Sequence, residues 1–148
     1  MRLELTRRFA VPLREGFDYI VEPGNWPAYW PGLIRVEPGS RWREPGDRAR
    51  VVMRLLGRAV ELEMTLRVFD PYRLVAYDSV QRGLPDARHE RGFADCGDGF
   101  EYRLAVEFEP RPGLRGGIDR LLVRRAIGRT LRRTLANLDA HGFSDPAR

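Results

Sequence analysis

Residues 60–68, Val60-Glu61-Leu62-Glu63-Met64-Thr65-Leu66-Arg67-Val68, set five apolar side chains on alternate positions and leave charged or polar ones between them. That period of two belongs to a strand with one face toward a core and the other toward water. Asp70-Pro71 ends the strand, and Gly57 turns the chain into it from an earlier one in which Val51, Met53 and Leu55 alternate with Arg50, Val52 and Arg54. Working outward, Ile34 and Val36 precede a Pro38-Gly39 turn, and Leu3, Leu5 and Phe9 mark a first strand over residues 2–10. On the other side, residues 74–80 and 87–95 read as strands, the second placing His89, Arg91, Phe93 and Asp95 on one face. Asp98-Gly99 is a hairpin signal, after which Phe100, Tyr102, Leu104, Val106 and Phe108 alternate. A meander of one-sided strands needs a cover for its apolar face.

Helical periodicity supplies it. Pro12 suits the first turn of a helix whose apolar face is Leu13, Phe17, Ile20 and Val21, ended by Pro23-Gly24. A second, shorter helical segment carries Trp26, Tyr29 and Trp30, three large aromatics that require burial. Residues 117–141 lack proline and are long enough to cross a sheet at about 1.5 Å per residue. There Leu121, Ile127, Leu131, Leu135 and Leu138 gather on one side, and Arg125, Arg129, Arg132 and Arg133 on the other, together with Ile118 and Leu122. Gly128 is the expected place for a bend.

At 148 residues the chain is expected to form one domain, residues 1–148. Its charged, alternating start, Met1-Arg2-Leu3-Glu4-Leu5, is not the pattern of a secretory signal, and Cys96 is its one cysteine; a reducing cytoplasm is the expected compartment. All 26 basic residues are arginine, which points to the coding bias of a high-GC bacterial genome more than to a phosphate-binding surface, so a nucleic-acid partner is not expected. Without lysine there is neither a Walker-type phosphate loop nor a Schiff base. Two histidines and one cysteine make no zinc cluster, and no Gly-x-Ser-x-Gly or Gly-x-Gly-x-x-Gly motif occurs, so neither metal nor cofactor is expected.

The runs Phe9-Ala10-Val11-Pro12, Gly16-Phe17-Asp18-Tyr19-Ile20 and Glu22-Pro23-Gly24-Asn25-Trp26-Pro27-Ala28-Tyr29-Trp30-Pro31-Gly32, with Asp70-Pro71-Tyr72-Arg73-Leu74-Val75 and Asp98-Gly99 further on, resemble the SRPBCC or START-like superfamily. Within it the chain is most similar to the polyketide cyclase/dehydrase and lipid-transport group, and the resemblance covers essentially the whole chain. It implies an α+β helix-grip fold: a curved antiparallel β-sheet wrapped around a long C-terminal helix, two short helices after the first strand, and a hydrophobic cavity between sheet and C-terminal helix. Gly16 departs from the bulkier helix former usual there, at a cost of about 1 kcal/mol relative to alanine, and Glu22 stands where aspartate is usual.

The expected ligand is a small hydrophobic molecule, a lipid, isoprenoid or polyketide. Its candidate contacts are the adaptable Met53 and Met64, with Leu66, His89, Phe93, Tyr102 and Leu121 from sheet and helix, and Trp26, Tyr29 and Trp30 as a gate or a plug. His89 is the best general acid or base available, yet Asp95 lies about 20 Å along the same strand, so a catalytic pair would need Asp78 or Tyr102 from a neighbouring strand. Alternative readings are a cofactor-independent polyketide cyclase/dehydratase and a ribosome- or stress-associated interaction protein. The arginines between 111 and 133 outnumber acids by seven, which suits a solvated face or docking on an anionic membrane surface.

Overall fold

The computed structural model describes residues 1–55, 57–81, 85–109 and 116–143, with only the backbone for 116–119. Ile118, Arg111 and Arg115, weighed above, therefore lie outside the described side chains. The chain runs β1 (Arg2–Phe9), α1 (Leu13–Val21), a 3-10 turn (Pro23–Asn25), α2 (Trp26–Tyr29), β2 (Leu33–Val36), β3 (Arg48–Leu55), β4 (Arg58–Asp70), β5 (Leu74–Gln81), β6 (Ala87–Asp95), β7 (Phe100–Phe108) and α3 (Gly116–Leu138). A π turn, Asp139–Phe143, closes the described chain.

All seven strands form one antiparallel sheet in the order β1-β7-β6-β5-β4-β3-β2. Neighbours in sequence pair by hairpins from β2 to β7, while β1 closes the far edge against β7. This is the helix-grip architecture expected from the sequence. Leu131, Leu135 and Leu138 of α3 are buried, and Asn137 Nδ2 donates to Tyr29 O at 2.9 Å, fastening α2 to α3. The helix runs through Gly128 without interruption.

Three sequence expectations need correction. Alternation predicts Val68 inward, but a register shift between Leu66 and Val68 changes the phase of β4. Val68 is 38% exposed, and Phe69 instead packs on Phe17, ring centroids 5.8 Å apart. Leu121 is 50% exposed, because among the described side chains of α3 the buried ones begin only at Leu131. The left-handed residue of the β6–β7 turn is Gly97 (φ 88°), one position before the predicted Asp98-Gly99 pair.

Gly16 also reads differently in three dimensions. A Cβ built there would sit 2.5 Å from Phe100 Cζ, and Phe100 is fully buried among Phe9, Phe93 and Phe143. The close approach of α1 to the sheet requires glycine. Overpacking of this kind costs about 1–3 kcal/mol, more than the helix propensity alanine would gain. Gly16→Ala should therefore lower the urea midpoint; a raised midpoint would show that the ring yields freely.

Candidate functional site

The helix that leaves the sheet edge after Pro12 must end with unsatisfied carbonyls, and their partners build the site. Trp26 Nε1 donates to Ile20 O at 3.0 Å, and Tyr29 Oη donates to the same oxygen at 2.6 Å. Asn25 Nδ2 donates to Tyr19 O at 3.0 Å. One helix end thus fixes both aromatic side chains in place over the sheet.

Trp26 continues into a chain of edge-to-face rings: Trp30 at 5.6 Å, Trp42 at 5.5 Å, and from Trp42 on to Tyr77 at 5.2 Å. Trp42 comes from the polar loop between β2 and β3 and is only 3% exposed. That loop is pinned by Asp47, whose carboxylate accepts the backbone N–H of Arg43 (2.9 Å) and Glu44 (3.0 Å). These two hydrogen bonds also hold the Asp47 carboxyl below the usual carboxylate range.

Beneath the aromatic rings lies a space of about 20 Å³, bounded by the end of α1, α2, the Trp42 loop and strands β4, β5 and β6. That volume holds about one water molecule. Of the expected contacts, Trp26, Tyr29, Trp30 and Met64 line it. Met53, Leu66, Phe93 and Tyr102 are buried but are not part of its wall, and neither His89 nor the solvent-exposed Leu121 lines it. The space lies between the sheet and the α1–α2 segment; no described α3 residue borders it. A more open hollow of about 240 Å³ lies by Arg8, Cys96 and Asp98 and contains none of the expected residues.

The decisive polar group is Arg91, whose β6 alternation directs it inward beside Phe93. Its guanidinium donates to Tyr77 Oη at 2.8 Å and lies over the rings of Trp30 (5.8 Å) and Tyr77 (5.7 Å). Among the described residues no carboxylate comes within 4.0 Å of it. Tyr102 Oη is buried close to the Arg91 guanidinium, whose charge and hydrogen bonding favour its ionised form, and it has no other hydrogen-bond partner among the described residues. Burial pushes the Tyr102 phenol up to about 12, against the pull of Arg91, and raises that of Tyr29 well above its ordinary value. Near neutral pH both are uncharged, which unsuits them as bases, and the Tyr29 hydroxyl already donates to Ile20 O.

His89 belongs to a neighbouring cluster. Its ring stacks on Tyr77 at 4.5 Å, Nε2 lies 2.8 Å from Ser79 Oγ, and Nδ1 is buried without a partner. Burial, aided by the Arg91 charge, lowers its pKa to about 3, so it is neutral at physiological pH. Neither predicted helper reaches it as a hydrogen-bond partner: Asp78 pairs with Arg67 (2.6 Å) and Arg88 (3.6 Å). Sequence reasoning missed Trp42 and Tyr77. A lone tryptophan in a polar stretch, Ser40-Arg41-Trp42-Arg43-Glu44, was the available signal for the first.

A family described as polyketide cyclase / dehydrase and lipid transport matches residues 1–142. The chain belongs to this family. Comparison with curated protein sequences finds no match. Among solved structures of similar fold, the Zhui aromatase/cyclase of Streptomyces sp. R1128 superposes with a TM-score of 0.77 at 15% identity, covering 93% of this chain and 90% of that one. The Thermus thermophilus protein TTHA0849 gives 0.75 at 18% identity, covering 95% of both chains. A Rhodobacter sphaeroides protein gives 0.75 at 17% identity, covering 95% of this chain and 91% of its own. At these identities the likeness is one of fold. The family membership accords with a hydrophobic-ligand or cyclase/dehydrase role, and no described helix is long and apolar enough to cross a membrane.

Proposed function

We propose that the protein binds a small molecule with an apolar body and an oxygen-bearing end, a carboxylate, ketone or enolate, beneath Trp26 and Trp30. The observation that carries this reading is Arg91: an inward-facing cation with no carboxylate partner among the described residues, bordering an aromatic-walled space. Enclosing such a charge is costly unless something completes its hydrogen bonds. A ligand oxygen would accept from the guanidinium, which lines the space.

The space of about 20 Å³ is far smaller than an ordinary ligand pocket. Binding therefore requires the wall to open, and Trp30, only half-buried and resting over Arg91, is the side chain placed to move. The cyclase/dehydratase reading draws on the same donors, which would polarise a substrate carbonyl. His89 contributes to it poorly, being neutral, bonded to Ser79 and behind the Tyr77 ring.

Titration of tryptophan fluorescence with 2-naphthoate tests the proposal. Saturable quenching, weaker with the neutral 2-methylnaphthalene, is expected. Equal responses to both compounds, or none that saturates, would count against a site centred on Arg91.

A further inference from the structure

We infer that the outward face of α3 docks on an anionic lipid surface. Residues 116–138 hold six of the 26 basic residues and one of the 21 acidic ones, so the rest of the chain carries twenty of each and balances. The whole formal charge of +5 therefore resides in this helix. A coding preference for arginine over lysine accounts for the residue type but not for this segregation from acids.

The segregation is also spatial. With Leu131, Thr134, Leu135 and Leu138 turned to the sheet, Arg125, Arg129, Arg132 and Arg133 all fall on the opposite, exposed side. Like charges three and four residues apart repel along a helix. Elsewhere arginines meet carboxylates repeatedly, as Arg2, Arg103 and Glu90 do, but the arginines from 120 to 133 make no ion pair among the described residues. An external anion would relieve that repulsion.

The same face distinguishes a membrane from a nucleic acid. Leu122, 58% exposed, lies on the arginine side of the helix, and Leu121, 50% exposed, lies at its edge. Adjacent exposed leucines gain nothing from a phosphate backbone, and the described face has no aromatic ring for a base to stack on. A bilayer interface accepts both features, leucines toward the acyl boundary and guanidinium groups at the headgroups.

The test is flotation with vesicles of phosphatidylcholine alone and of phosphatidylcholine containing one third phosphatidylglycerol. Binding to the anionic vesicles only, weakened by added salt, is expected. At roughly five-fold per arginine, the Arg125→Gln/Arg129→Gln protein should bind about thirty-fold more weakly. Leu121→Ser/Leu122→Ser should weaken binding without changing its salt dependence. All four positions are exposed, so the melting temperature serves as the folding control. Equal binding to neutral vesicles, indifference to both double variants, or RNA binding without vesicle binding would overturn the assignment.

Discussion

Arg91→Met should melt higher than the wild type and lose its response to 2-naphthoate. The two effects have one cause. Arg91 presents five N–H donors, and among the described residues only the Tyr77 and Tyr102 hydroxyls are placed to accept from them. The rings of Trp30 and Tyr77 lie beside it, the Tyr102 hydroxyl is near, and Met64 and Val75 line the same space. Methionine fills similar space without a charge to desolvate, and because Arg91 is only partly buried the replacement should stabilise by about 1 kcal/mol. In a domain of this size that corresponds to a gain of about 2–4 °C. Hydrogen bonds to a charged partner contribute about 1.5–3 kcal/mol, so affinity should fall by about ten- to a hundred-fold. Thermal melts and fluorescence titrations read the two quantities separately. A fall of several degrees with binding retained would make Arg91 a structural residue and remove the basis of the proposed site.

The second large effect is on stability in acid. His89 titrates near 6.5 when the chain is unfolded and at about 3 when it is folded, because burial and Arg91 both oppose its charge. Between these values the unfolded chain binds the additional proton, so stability falls as pH drops through this window and is fully present above it. Integrated from pH 7 to 4.5 the loss is roughly 2–3 kcal/mol. Ser79, stacked Tyr77 and Arg91 are the groups that face the ring, and none offers an anion to accept the imidazolium. His89→Gln should flatten the urea-measured pH profile over this range. Parallel profiles for the two proteins would show that His89 is solvated and titrates normally.

Much of the architecture was legible because its signals are periodic. Leu62, Met64 and Leu66 alternate through β4, and Leu131, Leu135 and Leu138 recur on the buried side of α3. What failed was local. The phase change before Val68 leaves no mark in a run of alternating residues, and Leu121 continues the helical stripe beyond the point where the sheet covers it. Gly16 looked like a weak helix position until Phe100 was found against it, a contact between residues 84 positions apart that no local pattern contains.

The site was legible in its aromatics and obscure in its chemistry. Trp26, Tyr29 and Trp30 drew attention by size and spacing, and the α1 carbonyl at Ile20 explains their placement. Arg91 shares a strand face with both Phe93 and His89, and a mixed face of that kind does not declare which side is buried. The pairing of β6 with β5 and β7 decides it, by setting Arg91 next to Tyr77 and Tyr102 across the inner surface.

Native mass spectrometry of protein purified without detergent, followed by denaturing extraction, tests the central claim most directly. A defined adduct is expected above the 17.1 kDa chain, a hydrophobic molecule with a carboxylate, ketone or enolate oxygen that is absent from Arg91→Met. A bare chain that also fails to take up 2-naphthoate, or an adduct that Arg91→Met retains in full, would contradict it.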